Sequence, residues 1–227
     1  MTNQIFNALI ARSEEEKKIV LPRFFKTGKG QYGEGDKFLG VTVPNIREVA
    51  KEFNIVSYDI IKELIHSPWH EMRMCALLIL VNNSKKNVTK ETFDFYLSHT
   101  KYINNWDLVD LSAPQIIGKY LLDKKRDILY TLAESDLLWD NRIAVVSTLT
   151  FIKNNDLDDT YALSLKMMHH QHDLMHKAIG WMLREAGKHD VKRLYEFVNK
   201  HKYIMPRTML RYSIEKFDKE TRNELMK

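Results

Sequence analysis

Apolar residues recur at intervals of three and four along most of this 227-residue chain. In residues 2–12, for example, Ile5 and Leu9 lie about one helical turn apart and share one face of a predicted helix. Similar segments of about 10 to 18 residues follow from Pro44 onward, joined by short polar turns. Outside residues 26–44, no segment alternates convincingly between apolar and polar residues, as a half-buried strand would. The pattern therefore predicts an all-α protein.

Five of the eight glycines lie between residues 28 and 40. Such a density predicts an irregular loop or a short hairpin. The stretch lacks the GK[ST] ending, the preceding strand and the βαβ context of a nucleotide-phosphate loop, so we reject that function for it. Its lysines could instead contact a nucleic-acid backbone. Just before it, Ser13 is followed by three glutamates, which predicts a side-chain cap at the start of the second helix.

Several predicted helices begin alike, which indicates an internal repeat. Aligning their first turns places five residues in one register: Arg73, Trp106, Arg142, Lys177 and Arg207. The steps between them are 33, 36, 35 and 30 residues, the length of a helical hairpin in HEAT-type and related repeats. We therefore predict a right-handed α-solenoid of about six HEAT-like hairpins, forming a single domain over residues 1–227.

Equivalent positions of stacked hairpins form a line across the concave surface of a solenoid. Four of the five register positions are Arg or Lys, and the fifth is Trp106. Asp110 and Trp181 lie one turn further along their helices, and Arg184 and Arg211 extend the basic row. The net charge is only +5, from 35 basic and 30 acidic residues, so the distribution matters more than the total. The row predicts a basic groove shaped to a phosphate backbone.

The segment NWDLVD at residues 105–110 places two different side chains on one helical face. Trp106 and Asp110 are four residues apart, so their side chains can point into the same space. An aspartate near a helix start also complements the helix dipole, and a tryptophan often only packs, so a purely structural role is the alternative. The functional hypothesis gains weight from the basic row.

Four segments, in this order and spacing, make the chain resemble the AlkD-like DNA alkylation repair proteins, which are DNA glycosylases built from HEAT-like repeats. They are NWDLVD followed by Ser112 to Pro114, the helix with Arg142, KAIGWMLRE at 177–185, and the terminal PRTMLRYSIEKF. The resemblance covers nearly the whole chain. It implies a curved solenoid that grips duplex DNA in its basic concave face. It also implies excision of N3- or N7-alkylated purines without rotation of the lesion into a deep pocket.

The resemblance further implies a catalytic set of Asp110, Trp106, Trp181 and Arg142. Departure of a cationic alkylpurine leaves an oxocarbenium-like sugar, which a carboxylate can stabilise while it orients the attacking water. We assign that role to Asp110, contacts between π faces and the cationic sugar to the two tryptophans, and a phosphate contact to Arg142. The predicted DNA-binding residues are Arg73, Lys177, Arg184, Arg207 and Arg211.

Two departures from the family pattern keep other functions open. Asn105 stands where related glycosylases often carry a second aromatic residue, and segment 32–44 differs from their N-terminal helices. A non-catalytic binder of branched or damaged DNA that uses the same groove is therefore one alternative. A protein-interaction scaffold, the ordinary use of an α-solenoid, is another.

Other candidate sites are weaker. A histidine cluster contains His169, His170, His172 and His176, but no HExxH motif is present, so we predict no metal and no cofactor. Cys75 lies in an apolar run and is predicted to be a buried structural thiol, which fits a reducing cytoplasm. The sequence predicts neither an export signal nor a membrane span, and we expect a monomeric, cytoplasmic protein.

Overall fold

A computed structural model describes all 227 residues and is all-helical, which confirms the predicted fold class. It contains fourteen α-helices and no strands. They are α1 (Thr2–Ile10), α2 (Glu15–Phe24), α3 (Val43–Glu52), α4 (Tyr58–Ile65), α5 (His70–Asn83), α6 (Lys90–Ser98), α7 (Trp106–Ala113), α8 (Asp127–Ala133), α9 (Leu138–Lys153), α10 (Asp158–Lys166), α11 (Asp173–Gly187), α12 (Val191–His201), α13 (Arg207–Ser213) and α14 (Lys219–Leu225).

The helices form two compact units, residues 1–112 and 113–227. The single domain and the right-handed solenoid therefore stay predictions. In the first unit α5 is the central helix, because α1, α3 and α4 all pack against it. Every residue from His70 to Leu80 is buried, so this helix is enclosed on all sides, as expected where the apolar pattern covers more than one face.

In the second unit α9 plays the same central part. Thirteen of its sixteen residues are buried, and α8, α10 and α11 pack against it. Helix α11 contacts α9 on one side and α13 on the other, so alternate helices lie side by side as in stacked repeats. Gly180 allows the close α11–α13 contact, since a Cβ there would lie 2.5 Å from the Cβ of Tyr212.

One local expectation was wrong. Glu14 rather than Ser13 is the N-cap of α2, and it makes no side-chain cap bond. The glycine-rich stretch is an irregular loop, one of the two structures predicted for it, and its only extended pairing is an isolated bridge between Lys37 and Trp69. Helix α14 was not anticipated; Asp218 caps it through the Thr221 N–H, a short-range signal that the apolar pattern does not include. None of the fourteen helices is long and apolar enough to cross a membrane.

Candidate functional site

Helix α7 carries the two central candidate residues. It begins at Trp106 and reaches Asp110 one turn later, and both side chains are half-buried. On its inner side Leu108 and Val109 are fully buried. The hydroxyl of Ser112 donates to the Leu108 carbonyl at 2.6 Å and lies 2.8 Å from the Tyr96 hydroxyl of α6. The helix is therefore fixed along its buried side, while the face with Trp106 and Asp110 keeps access to solvent.

Asn105 has a local structural role at the start of this helix. It is fully buried, and its side-chain oxygen accepts a hydrogen bond from the Trp106 N–H at 2.9 Å. An aromatic side chain at this position could not make that bond. Asn105 therefore helps to set the backbone from which the Trp106 side chain projects.

Phenylalanines surround the indole of Trp106. Phe25 stacks on it with ring centroids 5.5 Å apart, and Phe24 meets it edge-on at 6.0 Å. Phe25 also stacks on Phe38 at 5.1 Å. These rings line a cavity of about 450 Å³ within the first unit, and Phe24, 59% exposed, stands among the lining residues. Packing against several rings restricts the orientations that Trp106 can adopt.

A buried ionic cluster lies beside the aromatic group. His70, 2% exposed, is hydrogen-bonded through Nε2 to Asp107 at 2.8 Å and through Nδ1 to Asp36 at 3.1 Å. Arg73, 4% exposed, donates to Asp36 and, at 2.9 Å, to the Ser67 carbonyl. We name these four residues, Asp36, His70, Arg73 and Asp107, the ionic cluster. It contains two carboxylates and, when His70 is protonated, two cations.

The cluster shifts the pKa values of its members. Burial alone would lower the pKa of His70, but the charge and hydrogen bonds of Asp107 and Asp36 outweigh it and raise the pKa to about 9. Burial would likewise raise the pKa of Asp36, yet the hydrogen bond from His70 and the charge of Arg73 hold it below its usual value. His70 is therefore a cation at neutral pH.

Glu71 anchors the glycine-rich stretch. Its carboxylate, on α5, accepts the backbone N–H groups of Leu39, Gly40 and Val41 at 2.8, 2.9 and 3.1 Å. Gly40 has φ +83°, and a Cβ there would lie 2.7 Å from the Glu14 carbonyl, so glycine is required at this point. The stretch thus connects α2 to α3 along a defined path, and the buried Glu71 carboxylate holds its end against α5.

The position of Arg73 does not fit the predicted role in DNA binding. Its guanidinium is buried and bonded to Asp36 and to a carbonyl of its own unit, so it is not presented to a phosphate. The register alignment found a helix start correctly, but it could not show that a partner 37 residues earlier neutralises the charge. We leave Arg73 out of the proposed interface.

The second unit contains the other two residues of the predicted catalytic set. Arg142 of α9 is 5% exposed, and its Nη1 donates to the Leu174 carbonyl at 2.7 Å. Trp181 of α11 is half-buried. Lys177, one turn before it, pairs with Asp173 at 2.7 Å, and the bond from Lys177 lowers the pKa of Asp173. Each of these cationic side chains thus has a fixed local contact.

The remaining basic candidates differ in exposure. Arg184 is half-buried and forms an ion pair with Glu215. Arg207 and Arg211 are exposed, and Arg207 donates to the Met226 carbonyl at 2.8 Å. A cavity of about 410 Å³ is lined by residues of both signs, including Lys177, Arg211 and Glu215. The lining of this cavity is therefore mixed in charge, and Arg207 and Arg211 are the exposed members of the predicted DNA-binding set.

The histidine cluster has a structural part at the start of α11. His172 is the N-cap, and its Nδ1 accepts the Leu174 N–H at 3.1 Å. His170 accepts the His172 N–H at 3.0 Å, and His176 is hydrogen-bonded to the His170 carbonyl. Burial lowers the pKa values of His170 and His172. Cys75 is fully buried, and burial raises the pKa of its thiol to about 12, so the thiol is unreactive at neutral pH.

Sequence reasoning missed Asp36, His70, Glu71 and Asp107. They lie 30 to 37 residues from their partners along the chain, where no spacing rule connects them. One signal was available: His70, Glu71 and Arg73 lie in the first turns of a helix whose next residues, 74–81, are all apolar. Buried polar side chains require partners, so their presence there indicates a network.

The packed helices define an all-α protein, and helix α7 gives it a candidate ligand-binding face with an aromatic and a carboxylate side chain. The sequence model of the DNA alkylation repair enzyme family matches residues 5–217, so this chain belongs to that family. Membership supports a role in DNA repair.

The fold agrees with a solved structure of a predicted DNA alkylation repair enzyme from Enterococcus faecalis. The TM-score is 0.74, and the match covers 92% of this chain and 98% of that chain. Sequence identity is 16%, so the similarity shows the fold alone. No curated protein matches this sequence.

Proposed function

We propose that this protein is a DNA glycosylase that excises cationic N3- and N7-alkylpurines from duplex DNA without flipping the base, as the first step of base excision repair. The observation that carries the proposal is the face of α7: Trp106 and Asp110 lie one turn apart on a helix whose other side is fully buried. Membership of the DNA alkylation repair enzyme family supports alkylated DNA as the proposed substrate.

The proposed reaction is hydrolysis of the N-glycosidic bond. The alkylated base leaves with the electron pair of the bond to C1′, and the sugar acquires oxocarbenium character. The Asp110 carboxylate stabilises this charge, and the attacking water bonds to C1′ while its proton passes to the carboxylate. The alkylpurine is already cationic, so it leaves as a neutral base and needs no general acid.

In the proposed complex the tryptophans and basic residues position the DNA. Trp106, held by Phe24 and Phe25, presents a π face to the cationic sugar, and Trp181 does the same from α11. Arg142 contacts a phosphate next to the lesion. Further phosphate contacts come from Arg207, Arg211, Lys177 and Arg184.

The test is release of free base from duplex DNA that contains one N7-methylguanine or one N3-methyladenine. Wild type is compared with Asp110→Asn and with Asp123→Asn, a control that removes an exposed carboxylate whose only ion pair is with the adjacent Lys124. We expect release by wild type and by the control, and loss of release with DNA affinity retained for Asp110→Asn. Equal release by all three would refute the role of Asp110.

Two other outcomes would select the alternatives. Absence of release by wild type, with tighter binding to junctions than to duplex, would identify a non-catalytic binder of branched DNA. Weak DNA binding that Arg211→Ala leaves unchanged would favour the protein-interaction scaffold, because a phosphate-binding surface loses affinity when an exposed arginine is removed.

A further inference from the structure

Within the ionic cluster, one hydrogen bond joins α5 to the start of α7. His70, in the first turn of α5, is hydrogen-bonded to Asp107, which immediately follows Trp106 and precedes Asp110 by less than one turn. The other carboxylate oxygen of Asp107 accepts the N–H of Leu108 at 2.9 Å. One side chain thus joins the central helix of the unit to the backbone of the proposed catalytic turn.

The imidazole also touches the aromatic group that holds Trp106. Its ring stacks on Phe38 with centroids 4.7 Å apart and lies 5.0 Å from Phe25, the ring that stacks on Trp106. A protonated imidazole is attracted to aromatic faces as well as to carboxylates. His70 therefore contacts the surroundings of Trp106 by two routes, one polar and one aromatic.

A His70 that is 98% buried between two carboxylates is not explained by packing alone. Burial of an ion pair is costly unless its hydrogen bonds are satisfied, and a hydrophobic residue of similar volume would often serve stability as well. Here both ring nitrogens are bonded, and the bonds have fixed directions. The bonds from His70 to Asp36 and Asp107 therefore favour one arrangement of the segments that they join.

We propose that His70 is a positioning residue for the excision reaction: as an imidazolium it holds Asp107, and it thereby fixes the first turn of α7 from which Trp106 and Asp110 project. The proposal rests on the proposed function. His70 touches neither DNA nor the reacting atoms and acts through Asp107.

The charges around His70 determine its protonation. Asp107 faces it from α7, and Asp36 faces it from the connection before α3. Arg73 on its own helix is paired with Asp36, Glu71 is turned toward the backbone at residues 39–41, and Lys17 of α2 lies at the neighbouring cavity. The two facing carboxylates keep the imidazolium charged through neutral pH, and the charge is lost as the pH rises through about 9.

The experiment compares four proteins: wild type, His70→Gln, Asp107→Asn and the double variant. His66→Gln is the control, since His66 is an exposed histidine of the same unit. Amide hydrogen-exchange protection factors are measured for residues 106–110, with residues 143–152 of α9 as an internal reference. Base-release kcat and KM are measured from pH 6.5 to 10, with uncatalysed release subtracted at each pH.

We expect protection at residues 106–110 to fall about tenfold or more in both single variants, with no further loss in the double variant, because the two residues act through one bond. Protection in α9 and in the control should not change. The kcat should fall about tenfold with little change in KM for DNA. Wild-type kcat should decline as the pH rises through about 9, and this decline should be absent from His70→Gln.

Unchanged protection of residues 106–110 in folded His70→Gln and Asp107→Asn would overturn the proposal, as would lower unfolding stability with a normal kcat and an unaltered pH profile. If the wild type releases no base, the proposed function fails separately. The protection factors then still decide whether His70 holds α7, and Asp107→Asn provides the answer if His70→Gln does not fold.

Discussion

The two units surround their candidate residues in different ways. In the first unit, Trp106 and Asp110 lie on a helix fixed by buried bonds and stacked rings, next to a largely buried ionic cluster. In the second unit Arg142 is buried, but the DNA-binding candidates Arg207 and Arg211 are exposed, and Arg184 is paired with a carboxylate that is itself half-exposed. Buried, directed bonds define one geometry, whereas exposed ion pairs contribute little and exchange partners easily. The fixed geometry of the first unit is suited to positioning catalytic groups, and the exposed arginines of the second unit are suited to phosphate contacts that can change partners.

The largest effect should come from Glu71→Ala. It would leave three buried backbone N–H groups, at residues 39–41, without their acceptor. Each unsatisfied group costs about 1–3 kcal/mol, so we expect the free energy of unfolding of the first unit to fall by at least about 3 kcal/mol. Urea unfolding would measure this. Glu185→Ala, which removes a half-buried carboxylate of α11, is the control and should have a much smaller effect.

The pH dependence of stability should come next in size. The folded pKa of His70, about 9, lies above the unfolded value of 6.5, so its stabilisation is complete below about pH 6.5 and disappears as the pH rises through 9. The difference corresponds to about 3 kcal/mol. Chemical denaturation between pH 6.5 and 10 should show this loss in wild type. A similar loss in His70→Gln would assign it to another group.

Replacement of the two tryptophans would test whether the tightly packed Trp106 of the first unit contributes more to base release than Trp181 of the second unit. Trp106 is held by two rings and begins the proposed catalytic helix, so Trp106→Ala should reduce base release about 100-fold through lost cation contact and misplacement of the turn. Trp106→Phe should retain part of the activity. For Trp181→Ala we expect a smaller loss, about tenfold. Equal losses of base release in Trp106→Ala and Trp181→Ala would show that the two units do not differ in this respect.

The smallest effect should follow removal of an exposed arginine. Arg211→Ala should weaken duplex binding about three- to tenfold and reduce the salt dependence of log K by about one. Titrations by fluorescence anisotropy at several salt concentrations would measure both quantities. Stability should not change, because Arg211 is exposed. Lys86→Ala, an exposed lysine outside the basic row, should leave the affinity and the salt slope as in wild type.

Much of the fold could be predicted from local pattern. Helices α5, α7, α9, α11 and α13 each begin at an aligned position or at most four residues before it, because a packed helix needs apolar residues at a period that the sequence displays directly. The exact ends of the helices were harder to predict. The Ser13 cap failed because its preference competes with the backbone path toward the glycine-rich stretch, where the Glu14 N–H donates to the Gly40 carbonyl at 2.8 Å.

In the candidate site, too, features set by local spacing could be predicted from the sequence, and features that depend on distant partners could not. Trp106 and Asp110 could be placed on one face from their spacing, since four residues make about one helical turn whatever the rest of the chain does. The burial of Arg73 could not be foreseen, because the sequence shows its charge but not the carboxylate of Asp36 that neutralises it. A basic residue at the right register is therefore a candidate for phosphate binding only after its partners are known.

The sequence by itself determined that this protein is helical, where its main helices lie, that an aromatic and a carboxylate share the face of α7, and which family it resembles. These are properties of neighbours a few residues apart, and short-range periodicity encodes them. Only the tertiary structure decided that His70 is bonded to Asp107, that Glu71 holds residues 39–41, and that Arg73 is internal. Those contacts join residues 30 to 37 apart, and they form because buried polar groups must find partners wherever packing brings them together.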